Sequence, residues 1–150
     1  MYNLKVLALK RYPEKGSKAE ILTQLNFIKG EGAEGDYHTD ISILSKQASD
    51  WMQQVKDCGK QGLCFNKFKE NILIDLTDAP SFSGINGIKN IKQLAAKDLI
   101  LQVLDKKKFC FKECDYFKED AECPLSEGAA FACVQQSGTL TLHQQVEILQ

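Results

Sequence analysis

Three cysteines crowd one short stretch of the chain, Cys110, Cys114 and Cys123, and a run of three lysines, Lys106 to Lys108, leads into the first. The thiolate, not the thiol, attacks electrophiles and binds metals, and neighbouring positive charge favours the thiolate. The stretch therefore reads as a place for soft-ligand or sulfur chemistry. A single reactive cysteine, Cys110, at the end of a strand beside lysines needs the fewest assumptions. Structural zinc is the alternative, but the spacing lacks the paired Cys-x-x-Cys knuckles such sites use, and a fourth ligand has to come from His38 or Cys133. A dithiol redox pair lacks its usual two-residue spacing and a surrounding βαβ unit. A lysine run is most often a solvated strand end or turn.

The other chemistry-bearing residues are few. Only two histidines exist, His38 and His143. His143 sits between terminal strands and reads as solvent-facing. His38 follows a glycine-rich loop beside Asp36 and is the better candidate, although loop histidines commonly make structural hydrogen bonds. The string Gly30-x-Gly32-x-x-Gly35 matches the dinucleotide fingerprint only in letters, because Asp36-Tyr37-His38 leads to a strand and not into the helix that fingerprint requires.

Composition bounds the classes. The 150 residues are 43% hydrophobic and 26% charged, globular values for one domain spanning 1–150. A net charge of −1 and an isoelectric point near 6.1 give no general attraction to nucleic acid or to an anionic membrane. No apolar run approaches the ~20 residues that span a bilayer. The N-terminal residues lack a secretory signal's apolar core, so a cytoplasmic location is expected. In a reducing compartment the cysteines are free thiols, ligands or core fillers, and Cys58, Cys64 and Cys133, set among apolar residues, read as buried.

These residues must be positioned by mostly extended elements. Asn3–Lys10 alternates as a strand, with Leu4, Val6 and Ala8 on one face. Ala19–Lys29 reads as a second extended segment, with Ala19, Ile21, Thr23, Leu25 and Phe27 sharing a face. Ile41–Leu44 is short and apolar enough to be a buried strand. Ser45 is a suitable N-cap for a helix carrying Ala48, Trp51, Met52 and Val55 on one side, and Gly59 suits its C-terminal end. Strands are predicted near Asn71–Leu76 and Leu99–Leu104, while Gly87–Lys97 is ambiguous. Thr139–Leu142 and Val146–Leu149 read as two short strands, a hairpin or a meander. Many short strands and few helices predict a mainly β fold, a closed or partly closed β-barrel.

Five segments stand in order along about two-thirds of the chain: Glu34 to His38, Ile41 to Leu44, Gly62 to Ile72, Gln102 to Cys123, and Cys123 to Val134. In that order they resemble the MOSC domain, the module named for the C-terminal part of molybdenum cofactor sulfurase. Glu34-Gly35-Asp36-Tyr37-His38 resembles the family's Gly-Asp-x-His loop, and Ile41-Ser42-Ile43-Leu44 its Val-Ser-Leu-Leu strand. Gly62-Leu63-Cys64-Phe65-Asn66-Lys67-Phe68-Lys69-Glu70-Asn71-Ile72 is similar to its Gly-x-Cys-Phe-Gly-x-Phe-x-Glu-Asn-Ile. Gln102 to Cys123 places Cys110 where the family keeps a cofactor-associated cysteine, and Cys114 and Cys123 match further cysteines of a single-domain bacterial subgroup. Cys123 to Val134 is similar to the segment Arg-Glu-Gly-Val-Phe-Ala-Arg-Val. The chain departs from that pattern at Asp40, Ser126 and Cys133, where the family has arginines, and at Leu142-His143-Gln144, which replaces a Val-Gly-Asp turn.

The resemblance implies a MOSC-like barrel that binds molybdenum cofactor or carries sulfur for it, either a molybdenum-dependent oxidoreductase or a sulfur-transfer protein. Cys110 is the implied catalytic thiolate and metal ligand, with Cys114 and Cys123 as possible additional ligands. Asp36 and His38 line the pocket loop, and Glu70 and Asn71 order the opposite wall. Lys67 and Lys108 supply charge for a phosphate-bearing pterin, with Lys69 able to help. A cofactor-synthesis or reductase protein is the implied partner. The reading from a different class is a non-catalytic barrel whose cysteines hold structural zinc or fill the core.

Overall fold

The computed structural model describes residues 2–59, 62, 64–65, 67–82, 84, 87–106, 112–119, 121 and 123–149. Strand β1 (Tyr2–Arg11) is the longest element in the β part of the chain. Its apolar alternation puts Leu4 and Val6 inside, but a bulge between Val6 and Ala8 changes the register. Leu9, fully buried, then takes the inward position expected of Ala8, which is only half-buried.

The expected extended segment after the first turn is two strands and not one. Strand β2 (Glu20–Leu22) pairs with the end of β1, and β3 (Gln24–Ile28) follows directly in another sheet. The inward face changes at the break: Ile21 is 78% exposed, while Leu25 and Phe27 are buried. Strand β4 (Gly32–Ala33) pairs with β3. Strand β5 (Ile41–Ser45) is buried at every residue, as its uninterrupted apolar character requires.

Helix α1 (Lys46–Asp57) starts at Ser45, whose Oγ accepts from the Ala48 N–H at 3.1 Å, and Gly59 follows its end at φ +87°. It forms the crossover to β6 (Ile72–Asp75), which lies parallel to β5. The ambiguous segment is a 3-10 turn, Gly87–Asn90, followed by β7 (Gln93–Ala96). Its anchors Ile88, Ile91 and Leu94 are all buried. Strand β8 (Leu99–Val103) pairs with β7 and with β9 (Ala129–Gln136).

Two terminal strands follow, β10 (Gly138–Thr141) and β11 (Gln145–Leu149). They do not pair with each other as a hairpin. Strand β10 pairs with β3, whereas β11 pairs with β7 and with β1. Between them His143 occupies an exposed turn at φ +68°. The ring β1-β11-β7-β8-β9-β5-β6 thus returns to β1, a closed seven-stranded barrel, with β2 beside it and β3, β4 and β10 as a separate sheet.

Leu25, Phe27 and Leu140 of that sheet share one core with Leu4, Val6, Ile43, Ile74 and Leu101 of the barrel. Each fully buried aliphatic side chain contributes about 1.5–3 kcal/mol. A second, smaller core joins Leu44 and Ala48 to Leu125 of α3 (Pro124–Gly128) and to Ala129, with Cys64, Phe65, Phe68 and Cys123 packed against it. Helix α2 (Asp115–Lys118) lies between the barrel strands β8 and β9 in sequence. Among the described residues no helix is long and apolar enough to cross a membrane.

Candidate functional site

The loop between β4 and β5 folds back on itself. Gly32 adopts φ +93°, and a Cβ there would lie 2.5 Å from the Thr39 carbonyl oxygen. The hairpin shape turns Asp36 inward, leaving its side chain only 1% exposed. Its Oδ1 accepts from the Tyr12 N–H at 2.7 Å and from Asn71 Nδ2 at 3.1 Å. Its Oδ2 accepts from the His38 N–H at 3.0 Å and lies 3.4 Å from His38 Nδ1. A buried carboxylate needs donors of this kind to offset lost hydration.

Asn71 completes the arrangement. Its Oδ1 accepts from the Ser42 N–H at 3.0 Å, and its Nδ2 also donates to the Lys10 carbonyl at 3.1 Å. One amide therefore joins β1, the site loop and β5. Next to it Glu70 accepts from Lys10 Nζ at 2.8 Å.

Above this platform opens a pocket of about 320 Å³. Tyr37, His38 and Ser42 form one side, Cys64, Lys67, Phe68 and Lys69 another, and Phe131 of β9 closes it. The Tyr37 and His38 rings lie with centroids 3.7 Å apart and planes tilted by 37°, and Phe68 meets Phe131 edge-on at 6.2 Å. Lys69 Nζ sits over two rings, 5.4 Å from the Tyr12 centroid and 5.5 Å from that of Tyr37. The Tyr12 phenol is pushed up to about 12, first by burial and then by Glu70, Asp36 and Tyr37, so it stays neutral at ordinary pH. Lys106, 2.6 Å from Asp40, holds its ammonium 5.4 Å from the Phe131 ring.

Of the residues singled out from sequence, His38 and Lys67 line the pocket, and Asp36 lies directly behind His38. Glu70 and Asn71 belong to the platform. Cys110 and Lys108 lie outside the described residues. Cys114 is buried and Cys123 half-buried. Cys58 is exposed and Cys133 half-buried, contrary to the core positions expected of them, and Cys64 lines the pocket. Among the described residues no cluster of three His, Cys, Asp or Glu side chains could hold a metal ion. Tyr12, Tyr37, Ser42, Phe68 and Phe131 were not marked by any motif chemistry. Their side chains carry no local signal, and only the pairing of β5 with β9 sets Ser42 opposite Phe131.

No protein-family model matches the chain, and no curated protein matches it. Among solved structures it is similar to the YuaD protein from Bacillus subtilis, with a TM-score of 0.65 and 13% identity over 100% of both chains. A second structure, described as a hypothetical protein, aligns with a TM-score of 0.58 and 15% identity over 100% of this chain and 69% of that one. The likeness is one of fold. It extends over the whole barrel and its accessory sheet, and at such identities it assigns no activity.

Proposed function

We propose that this chain is a MOSC-type protein that binds molybdenum cofactor, or carries sulfur for it, with the Cys110 thiolate as ligand or sulfur acceptor. The observation that carries the proposal is convergence. The pocket-lining residues come from separate segments, Tyr37-His38, Ser42, Cys64 with Lys67-Phe68-Lys69, and Phe131, and each belongs to a segment that resembles the MOSC pattern. Segments far apart in sequence that meet at one concave, largely aromatic site are the expected build of a ligand pocket.

The donor set suits the group. Phe68, Phe131 and Tyr37 offer flat walls to a pterin, while Lys67 and Lys69 offer ammonium groups to its phosphate. Lys106, against Phe131, is four residues before Cys110, a stretch of chain that reaches at most about 14 Å. That reach supports Cys110 as the thiolate serving this pocket, and a soft thiolate suits molybdenum. When bound, the cofactor supplies redox or sulfur chemistry, as in an oxidoreductase or a sulfur-transfer protein. The chain's part would be to grip the anion, to wall the ring with aromatic side chains and to hold His38 in one orientation through Asp36. A reductase or a cofactor-synthesis protein is the proposed partner, and the cytoplasm the proposed location, where the thiols of Cys58, Cys64 and Cys133 stay reduced.

The test is to add cofactor to protein purified under reducing conditions and to measure bound molybdenum. The parent is expected to bind it stoichiometrically and Cys110→Ala to lose it. Equal binding by both, or none by either, removes the proposed role of Cys110.

The competing reading, a non-catalytic barrel with structural zinc or core-filling cysteines, draws on the burial of Cys114, 9% exposed. Stoichiometric zinc whose chelation unfolds the protein would decide in its favour.

A further inference from the structure

We infer that the pocket selects a ligand with a flat apolar body and an anionic end, that is, an aromatic oxyanion. This rests on the reading of the cavity as a ligand site, and it is independent of molybdenum.

The argument begins with charge. Among the described residues that line the pocket none carries a carboxylate, while two of them, Lys67 and Lys69, are lysines. Three carboxylates on the described segments beside it are engaged elsewhere. Glu70 faces Lys10, Asp40 faces Lys106, and Asp36 is enclosed by the N–H groups of Tyr12, His38 and Asn71. Among the described residues no carboxylate pairs with Lys67 or Lys69. The Tyr12 phenol beneath Lys69 remains protonated until about pH 12 and does not act as a counterion.

Geometry adds selectivity. Lysine side chains lose considerable rotamer freedom on binding an anion. Lys69 is already placed by its two aromatic contacts, so less remains to be lost. Phe68 and Phe131 meet edge-on and present ring surface to the same cavity. An aliphatic anion leaves that ring surface wet, and a neutral arene leaves the two ammonium groups without a partner. Only a ligand with both features uses the whole site.

Benzenesulfonate, a permanent anion, and benzenesulfonamide, its neutral counterpart, separate the two contributions by titration calorimetry. The sulfonate is expected to bind about tenfold or more tightly than the sulfonamide, and added salt to narrow the gap. Lys67→Ala and Lys69→Ala are each expected to weaken the sulfonate about tenfold. Lys69→Arg retains binding, and Phe131→Ala weakens both probes alike. Lys5→Ala, at an exposed position on β1 that does not line the pocket, changes nothing. Thermal melts confirm that each variant is folded. Equal affinity for the two probes, or parental sulfonate affinity in both lysine-to-alanine variants, overturns the inference. Sulfonate selectivity without molybdenum uptake sustains it and removes the cofactor reading; molybdenum uptake without sulfonate selectivity does the reverse.

Discussion

Asn71 Nδ2 donates to Asp36 Oδ1 across 3.1 Å, joining two residues 35 apart in sequence at a point where Asn71 is only 2% exposed. The same amide holds the Ser42 N–H and the Lys10 carbonyl. Replacing it by alanine strands partners on both sides. Asn71→Ala is expected to lower stability by about 2–4 kcal/mol. The check is urea unfolding, in which the midpoint falls while the slope is kept.

Gly32 is the hinge of the site loop. With φ +93° and the Thr39 carbonyl oxygen 2.5 Å from where a Cβ would stand, alanine is strained twice over. Gly32→Ala is expected to cost roughly 1–3 kcal/mol and to move Asp36 and His38. Weakened benzenesulfonate binding at temperatures where the variant remains folded would report the displacement.

Gly128 touches α1 where α1 meets α3. A Cβ at this position would lie 2.0 Å from the Ala48 Cβ. Gly128→Ala is expected to destabilise by about 1–3 kcal/mol through overpacking. Adding Ala48→Gly removes the clash, so the double variant should melt above Gly128→Ala alone, despite the ~1 kcal/mol that glycine costs a helix. Strict additivity of the two would exclude the contact.

Tyr12 predicts an alkaline limb. Its phenol is raised from 10.0 to about 12, chiefly by burial, so the folded state keeps a proton that the unfolded state gives up. The resulting stability is complete below pH 10 and is lost as pH rises through about 12. Tyr12→Phe should abolish that part of the loss. Melting curves of parent and variant between these limits, with phenolate absorbance alongside, provide the measurement.

Asp75 predicts an acid limb. The Thr77 hydroxyl, 2.6 Å away, leads the interactions that hold its carboxyl below the usual value, helped by the Thr77 N–H and Gln47. Stability from this group is present above the ordinary carboxylate range and disappears as pH falls through the lowered value. Thr77→Val is expected to melt closer to the parent in strong acid than at neutral pH.

The sequence was most legible where a single element declares itself. The apolar block Ile41–Leu44, the cap Ser45 and the helical spacing from Ala48 to Val55 need only local rules. What escaped depends on distant partners. The bulge after Val6 carries no glycine or proline to announce it, so Ala8 and Leu9 exchange roles unseen. The break at Thr23 is equally unmarked. Strand β9 has buried Ala129, Ala130 and Ala132, small residues with weak strand preference, inside an unbroken apolar run that hides its alternation. The same limit applied to the pocket. Asp36 and His38 stood out as polar residues in a loop, whereas Phe131 becomes a wall only once β9 lies beside β5.

The pairing of β1 with β11, from Tyr2 against Ile148 to Lys5 against Gln145, has a kinetic consequence. The ring cannot shut until nearly the whole described chain has been synthesised, and the seam forms against the entropy of a very long intervening loop. Folding should accordingly be slow for a domain of this size. Once latched, the cylinder should resist local fraying at β1 and unfold as a unit, with amide protons on both sides of the seam exchanging together.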